Sequence, residues 1–160
     1  MTDKKFAAKN DDVVALWQLQ ASYADVVNRR AWRELPDLFR PDATVRVDTV
    51  SGPQQMLTGP DALGAFIGTA IERFDHFSFV ILNTVVDVDA DTARGRIFMC
   101  EIRHDTASDE WTIAHGLYQD AYVRLDGQWW FATRDYRSLA RTGPQAGVFG
   151  VPEGLLPLRR

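Results

Sequence analysis

Residues 116–137 read GLYQDAYVRLDGQWWFATRDYR, two β-rich runs that meet at Asp126-Gly127. Asp-Gly between apolar runs, here Tyr122-Val123 and Trp129-Trp130, signals a two-residue hairpin, because both turn positions need a positive φ. The same texture extends back to Asp75. Four long runs, near 76–89, 92–105, 110–125 and 128–140, are separated by Asp89-Ala90-Asp91, by residues 105–109 and by Asp126-Gly127. Two shorter strands are expected at 43–49 and 54–58.

Ahead of the strands the chain reads as helix. Asn10 and Asp11 are good cap residues, and Val13, Leu16/Trp17, Tyr23/Ala24 and Val27 recur at helical spacing. Trp32, Leu35 and Leu38/Phe39 continue in phase, with Pro36 set to kink the segment or start a second short helix. Pro60 fits the first turn of a third helix behind Gly59 or Thr58. Its apolar stripe is Leu63, Phe66/Ile67, Ala70/Ile71 and Phe74. Helices followed by a meander of antiparallel strands predict an α+β fold. Phe77, Phe79 and Ile81 alternate with Val80 and Leu82, so that strand is apolar on both faces. A curved sheet wrapped around the helices covers one face. Burial against another subunit, in a homo-oligomer (dimer or trimer), covers the other.

The chain has 160 residues, 46% hydrophobic and 25% charged, which is the size of one domain. We expect an N-terminal arm at 1–10, a single domain at 11–140 and a C-terminal tail at 141–160. Phe149, Leu155 and Leu156 should pack that tail over the mouth of the domain or on a neighbouring subunit. Eighteen Lys+Arg against 22 Asp+Glu, a net charge of −4 and no basic block argue against nucleic acid as a partner. The lone Cys100 rules out an intrachain disulfide and fits a reducing, cytoplasmic setting. MTDKKFAAKN lacks the apolar core of a secretory signal, and no apolar run of about 18 residues is present to cross a membrane. His104 and His115 have no second His or Cys at ligand spacing, so no metal site is expected.

Four pieces in order carry a family resemblance: YADVVNRRAWRELPDLFRPDA (23–43), LTGPDAL (57–63), NTVVDVDADTARG (83–95) and the hairpin at 116–137. Together they resemble the SnoaL-like branch of the nuclear transport factor 2-like superfamily, over roughly residues 12–138. The resemblance implies a cone of bent antiparallel sheet closed by three helices, with a pocket for an apolar ring-type small molecule. Relatives include scytalone dehydratase, hexachlorocyclohexane dehydrochlorinase, ketosteroid isomerase and polyketide cyclases. Their chemistry is proton abstraction followed by elimination or isomerisation, with no cofactor.

In the dehydratase and dehydrochlorinase group an Asp on the first helix orients a His on the first long strand, which acts as base. Those roles fall here on Asn28 and Phe79. His76 lies three residues early, on the opposite face of a regular strand, and only an intervening β-bulge would turn it inward. Asp25 lies one helical turn before Asn28. His76 or Asp25 is therefore the candidate base, with Tyr23 and Tyr118 as hydroxyl donors. Arg134 matches an Arg that stabilises developing anionic charge in some relatives. Strand alternation places Trp130 on its face, and the resemblance sets Tyr118 and Asp120, and Met99 and Glu101, on neighbouring cavity-lining faces. Glu101, Tyr118, Asp120 and Arg134 inside an apolar cone require pairing or a ligand.

Three functions remain open on these residues. One is a cofactor-free lyase or isomerase acting on a cyclic or polyketide-like molecule. The second is a non-catalytic binder that keeps the cone and has lost the dyad. The third is an assembly protein resembling the small subunit of ring-hydroxylating dioxygenases. A free cavity of roughly 300 Å3 or more is expected of the first two.

Overall fold

The computed structural model describes residues 2–158, with side chains from Lys9 onward; Met1 of the expected arm and the last two residues of the tail lie outside the described residues. Helix α1 (Thr2–Arg29) is followed by a short 3-10 helix (Trp32–Asp37) that contains Pro36. Strands β1 (Phe39–Asp48) and β2 (Gln55–Thr58) precede helix α2 (Pro60–Ile71), with Pro60 in its first turn and Gly59 as its cap. Then come β3 (Phe74–Asp89), β4 (Thr92–Asp105), β5 (Glu110–Leu125), β6 (Gln128–Arg141) and the two-residue β7 (Gly147–Val148). The four long strands match the sequence reading to within two residues at each end. The Asp126-Gly127 turn has φ of 51° and 79°, as its residues require.

Residues 2–10, expected as an arm, are helical. They are the first turns of α1, since no Gly or Pro interrupts Lys4–Lys5 and Ala7–Ala8, which favour helix. No helix among the described residues is long and apolar enough to cross a membrane.

The sheet runs β2-β1-β6-β5-β4-β3, with β7 added to the end of β6. Every pair is antiparallel except β1 with β6, which is parallel. The sheet is curved and unclosed, leaving β2 and β3 as edges. The helices fill its concave side, where Leu16, Leu19, Tyr23, Val26 and Val27 of α1 meet Leu35, Phe39, Phe79, Ile97 and Phe131 in one buried cluster.

Bulges set which side chains turn inward. In β6, Ala121 and Tyr122 of β5 face Thr133 and Phe131, so Ala132 is the extra residue. The buried set on β6 therefore shifts from Trp129 and Phe131 to Arg134, Tyr136 and Ser138. A second extra residue, Leu139, lies between the partners of His115 and Gly116. In β3 the bulges fall at Asp75 and Leu82. Gly116 of β5 lets two strands' side chains close over it: an added Cβ would sit 2.9 Å from the Met99 sulfur and inside the Tyr136 ring.

The tail crosses the outer face of its own sheet. The Phe149 and Gly150 N–H groups donate to the Leu139 carbonyl. Farther on, the Leu156 N–H donates to Gln119 Oε1 (2.8 Å), and Arg96 Nη2 donates to the Leu156 carbonyl (3.1 Å). Among the described residues, none of the tail beyond Arg141 lines the cavity, contrary to one of the two placements expected.

Candidate functional site

Between the concave sheet and the helices lies a cavity of about 180 Å3. Helix α2 roofs it with Leu63, Phe66, Ile67 and Ala70, while β3 contributes Phe74, Phe77 and Phe79. The volume falls below the roughly 300 Å3 expected of a lyase or a binder, because the Tyr23, Tyr118 and Arg134 side chains fill the narrow end. It still exceeds the roughly 150 Å3 of an apolar cavity that holds benzene. One ring fits.

The floor of the cavity is a buried charge network. Arg134 is 1% exposed, and its Nε and Nη2 donate to the two Asp120 carboxylate oxygens at 3.0 and 2.7 Å. Nη2 also donates to Gln20 Oε1 at 2.6 Å, and Gln20 Nε2 donates to Asp120 at 2.7 Å and to the Tyr122 hydroxyl at 2.5 Å. Tyr122 completes the set by donating to Asp120 at 2.9 Å. The Tyr23, Tyr118 and Phe131 rings lie 4.2, 4.1 and 4.3 Å from the guanidinium carbon, an aromatic cage around a cation. Burial works against the Arg134 charge, and Asp120 more than offsets it, so its pKa is raised. Nη1 is buried, on a residue that lines the cavity, and has no hydrogen-bond partner among the described residues.

The other polar lining groups sit nearer the mouth. Glu101 and Arg103 are successive inward residues of β4, with their charged groups 3.6 Å apart. Burial pushes the Glu101 carboxyl up, against the lowering effect of Arg103. Burial also raises the phenols: Tyr23 is raised with Arg134 pulling it down, Tyr118 is raised well above its ordinary value, and Tyr136 rises to about 12. The three phenols therefore stay protonated and can donate hydrogen bonds. Ser138 and Arg141 extend the wall on β6, Arg141 being turned inward by the bulge at Leu139.

The structure gathers Tyr23, Phe79, Glu101, Tyr118 and Arg134 around one cavity. Asp120 and Met99 are buried beneath it, Asp120 as the partner of Arg134 and Met99 beside Gly116. Four expected residues lie elsewhere. His76 is exposed on the outer face, hydrogen-bonded to Ser78 (3.0 Å) and 5.1 Å from the Trp111 ring. The bulge lies before it, at Asp75, rather than between it and Phe79, so strand parity keeps it outside. Asp25 is exposed and paired with Arg29 at 2.8 Å. Neither residue can serve the cavity as base. Asn28 gives its amide to the Phe79 backbone. Trp130 is turned to the outer face by the Ala132 bulge, beside Arg40 and Pro41, and Trp129 takes the inward place with its Nε1 donating to Asp12 at 3.0 Å.

Gln20 escaped the sequence reading. It lies four residues after Leu16 and three before Tyr23, so a polar side chain occupies a core position of the helix stripe. That phase was the available signal.

The SnoaL-like domain family matches residues 9–135. Among solved structures, a scytalone dehydratase candidate from Novosphingobium aromaticivorans is 25% identical, with 98% of this chain and 100% of that one covered and a TM-score of 0.77. A hexachlorocyclohexane dehydrochlorinase of type 3 from Novosphingobium barchaimii is 20% identical, covering 90% and 97%, at a TM-score of 0.74. A protein with a cystatin-like fold from Caulobacter vibrioides is 16% identical, covering 79% and 88%, at 0.65. No curated protein matches the chain in sequence. With a match over most of its length and a common fold in all three structures, the chain belongs to the SnoaL-like domain family.

Proposed function

We propose that this chain is a cofactor-free lyase or isomerase, of the dehydratase, dehydrochlorinase or cyclase kind, acting on a small cyclic or polyketide-like substrate. Arg134 Nη1 carries this reading: a buried cationic donor without a partner, on the wall of an apolar cavity. Asp120 and Gln20 hold the other two guanidinium nitrogens. The third is shut in by the Tyr23, Tyr118 and Phe131 rings, so it meets an oxyanion or carbonyl only when a ligand displaces one of the tyrosines, and the network holds it pre-oriented for that, as a group that stabilises developing charge must be. Tyr23 and Tyr118 add hydroxyls at the same end. We also assign a homo-oligomer, dimer or trimer, and a cytoplasmic setting, on the two-faced apolar strands and the single Cys100.

The test uses 4-nitrophenolate as a single-ring anion and nitrobenzene as its neutral counterpart. The chain should bind the anion more tightly, and Arg134→Lys, which keeps a cation for Asp120 but offers no further nitrogen, should remove that preference while the protein stays folded. Equal binding of both compounds by the wild-type chain would sink the role of Arg134. Binding of neither would favour the second reading.

That second reading is a non-catalytic binding or assembly protein, like a dioxygenase small subunit. It rests on Asn28 and Phe79 at the dyad positions, joined to each other by hydrogen bonds.

A further inference from the structure

We propose that the cavity takes a single-ring carboxylic acid, with its ring beside Phe74 and Phe77 and its carboxylate at the Arg103 guanidinium. The inference rests on the reading of this cavity as a site for a small ring and adds the class of ligand. It makes no use of Arg134.

Four charged side chains stand on the cavity wall: Glu101, Arg103, Arg134 and Arg141. Arg134 is neutralised by Asp120, and neither side chain has any exposed surface. One carboxylate is left against two guanidinium groups. Arg141 gives Nε to the Gln145 carbonyl and Nη2 to the Thr49 carbonyl, both at 2.8 Å, and Nη2 also to the Ser51 hydroxyl. These acceptors are neutral, and no carboxylate pairs with Arg141 among the described residues. The accessible part of an otherwise apolar cavity therefore holds one positive charge in excess. A charge in such a space calls for an opposite one.

Arg103 is the cation free to take it. Its side chain is 17% exposed, against none for Arg134. It makes no hydrogen bond among the described residues, and its one carboxylate partner, Glu101, lies 3.6 Å from Nη1, beyond hydrogen-bond reach. Nε is buried without a partner, so Nη1 and Nη2 keep the accessible surface. The desolvation of Nε is a cost that no protein group offsets.

Strand parity brings this cation to the rings. Arg103 follows Glu101 on the inward face of β4, in register with Phe77 on β3 and Thr112 on β5. Its guanidinium carbon lies 5.4 Å from the centroid of the Phe74 ring. Phe74 and Phe77 both line the cavity, under Ile67 and Ala70 of α2. A ring placed there fills the apolar space and turns its carboxylate to Nη1 and Nη2, where charge-assisted hydrogen bonds form. Glu101, Ala114 and Arg141 share one register row, so the second guanidinium stands across β5 from Glu101. Two cations then face two carboxylates, and the excess charge is gone. A neutral ring leaves that excess in place, and a dianion reverses it.

Benzoate and benzamide share a ring and a plane and differ in charge, so calorimetric titration with the two tests the proposal. The wild-type chain should bind benzoate roughly 10-fold or more tightly, as one charge-assisted contact implies. Arg103→Gln should remove that preference while benzamide still binds as before, which also shows that the variant is folded. On the wild-type chain, the Arg103 side-chain N–H signals should shift in NMR spectra with benzoate and stay in place with benzamide. Equal binding of the two by the wild-type chain overturns the proposal, as does binding of neither, or a benzoate preference that survives Arg103→Gln. A chain that fails in the first or third way yet prefers 4-nitrophenolate through Arg134 leaves the ligand reading above standing.

Discussion

The side-chain amide of Asn28 clasps the backbone of Phe79 at both polar groups: Nδ2 donates to the Phe79 carbonyl at 3.0 Å, and the Phe79 N–H donates to Oδ1 at 2.7 Å. Strand β3 is an edge of the sheet, so its outer backbone groups have no neighbouring strand to pair with. An amide offers a donor and an acceptor side by side, as a paired strand would. Arg30 does similar work five residues earlier, donating to the Phe74 carbonyl at 2.6 Å. The two positions that the family resemblance assigns to catalysis are thus used to fasten α1 to the edge of the sheet.

Replacing Asn28 with Asp tests the clasp. The carboxylate keeps the acceptor for the Phe79 N–H but loses the donor and faces the carbonyl oxygen. We expect a loss of about 1–3 kcal/mol in stability, read from urea unfolding. The loss should shrink in acid, where the protonated carboxyl can donate. An unchanged midpoint at neutral pH would show that the clasp contributes nothing.

Much of this arrangement is legible in the sequence, and the exceptions have one cause. The four long strands and Pro60 at the start of α2 follow from alternation and turn chemistry, both local signals. The faces of β6 do not, because Ala132 and Leu139 are extra residues whose presence depends on pairing with β5. Alternation counted from Arg134 puts Trp130 inward; the Ala132 bulge reverses that and brings Trp129 in instead. His76 shows the converse, since the bulge at Asp75 falls on the wrong side to turn it. Glu101 and Tyr118 both face the cavity, as expected, because no bulge interrupts the β4–β5 register between them.

Asp120 supports the cavity floor through its pairing with Arg134, at zero exposure for both side chains. Removing one member of such a pair leaves an uncompensated buried charge. Asp120→Ala should therefore cost about 3–5 kcal/mol, with Gln20 and Tyr122 each losing a partner as well. The double variant Asp120→Leu with Arg134→Met should be less damaging than the sum of its single changes. Additive losses in urea unfolding would mean that the two residues act independently.

His104 ties the start of β3 to the β4–β5 turn. Its Nδ1 lies 2.6 Å from Asp75 Oδ1 and its Nε2 3.0 Å from Asp109 Oδ1, with the Trp111 ring centroid 4.9 Å away. The Asp75 hydrogen bond first, then Asp109, raises its pKa above 6.5. A His raised on folding adds stability that is complete below its unfolded value, about 6.5, and is lost as pH rises through the folded value. The melting-temperature gap between wild type and His104→Asn should therefore be wide near pH 5.5 and close towards pH 9, roughly the span on either side of an ordinary histidine. Asp75→Asn should move the His104 NMR titration down. A gap that widens with pH contradicts this sign.

The outer face of β3, β4 and β5 carries the last prediction. Val80, Leu82, Val85, Trp111 and Ile113 are exposed there at 37, 54, 49, 62 and 40%. Half-buried Phe98 and Ile102 lie between them on β4. The tail crosses another part of this face, reaching Gln119 and Arg96 through Leu156. A contiguous apolar sheet face of this kind is unusual on a monomer, and a second copy of the same face is the partner of matching chemistry. Light scattering after size exclusion should therefore give a dimer or trimer. Leu82→Glu, at the exposed β3 bulge, should shift the mass towards the monomer, because burying an unpaired charge in the contact costs more than the contact returns. The cavity lies on the opposite face, so the folded monomer should still bind 4-nitrophenolate. A wild-type chain that elutes as a stable monomer of 18.1 kDa would show that the outer face stays in water.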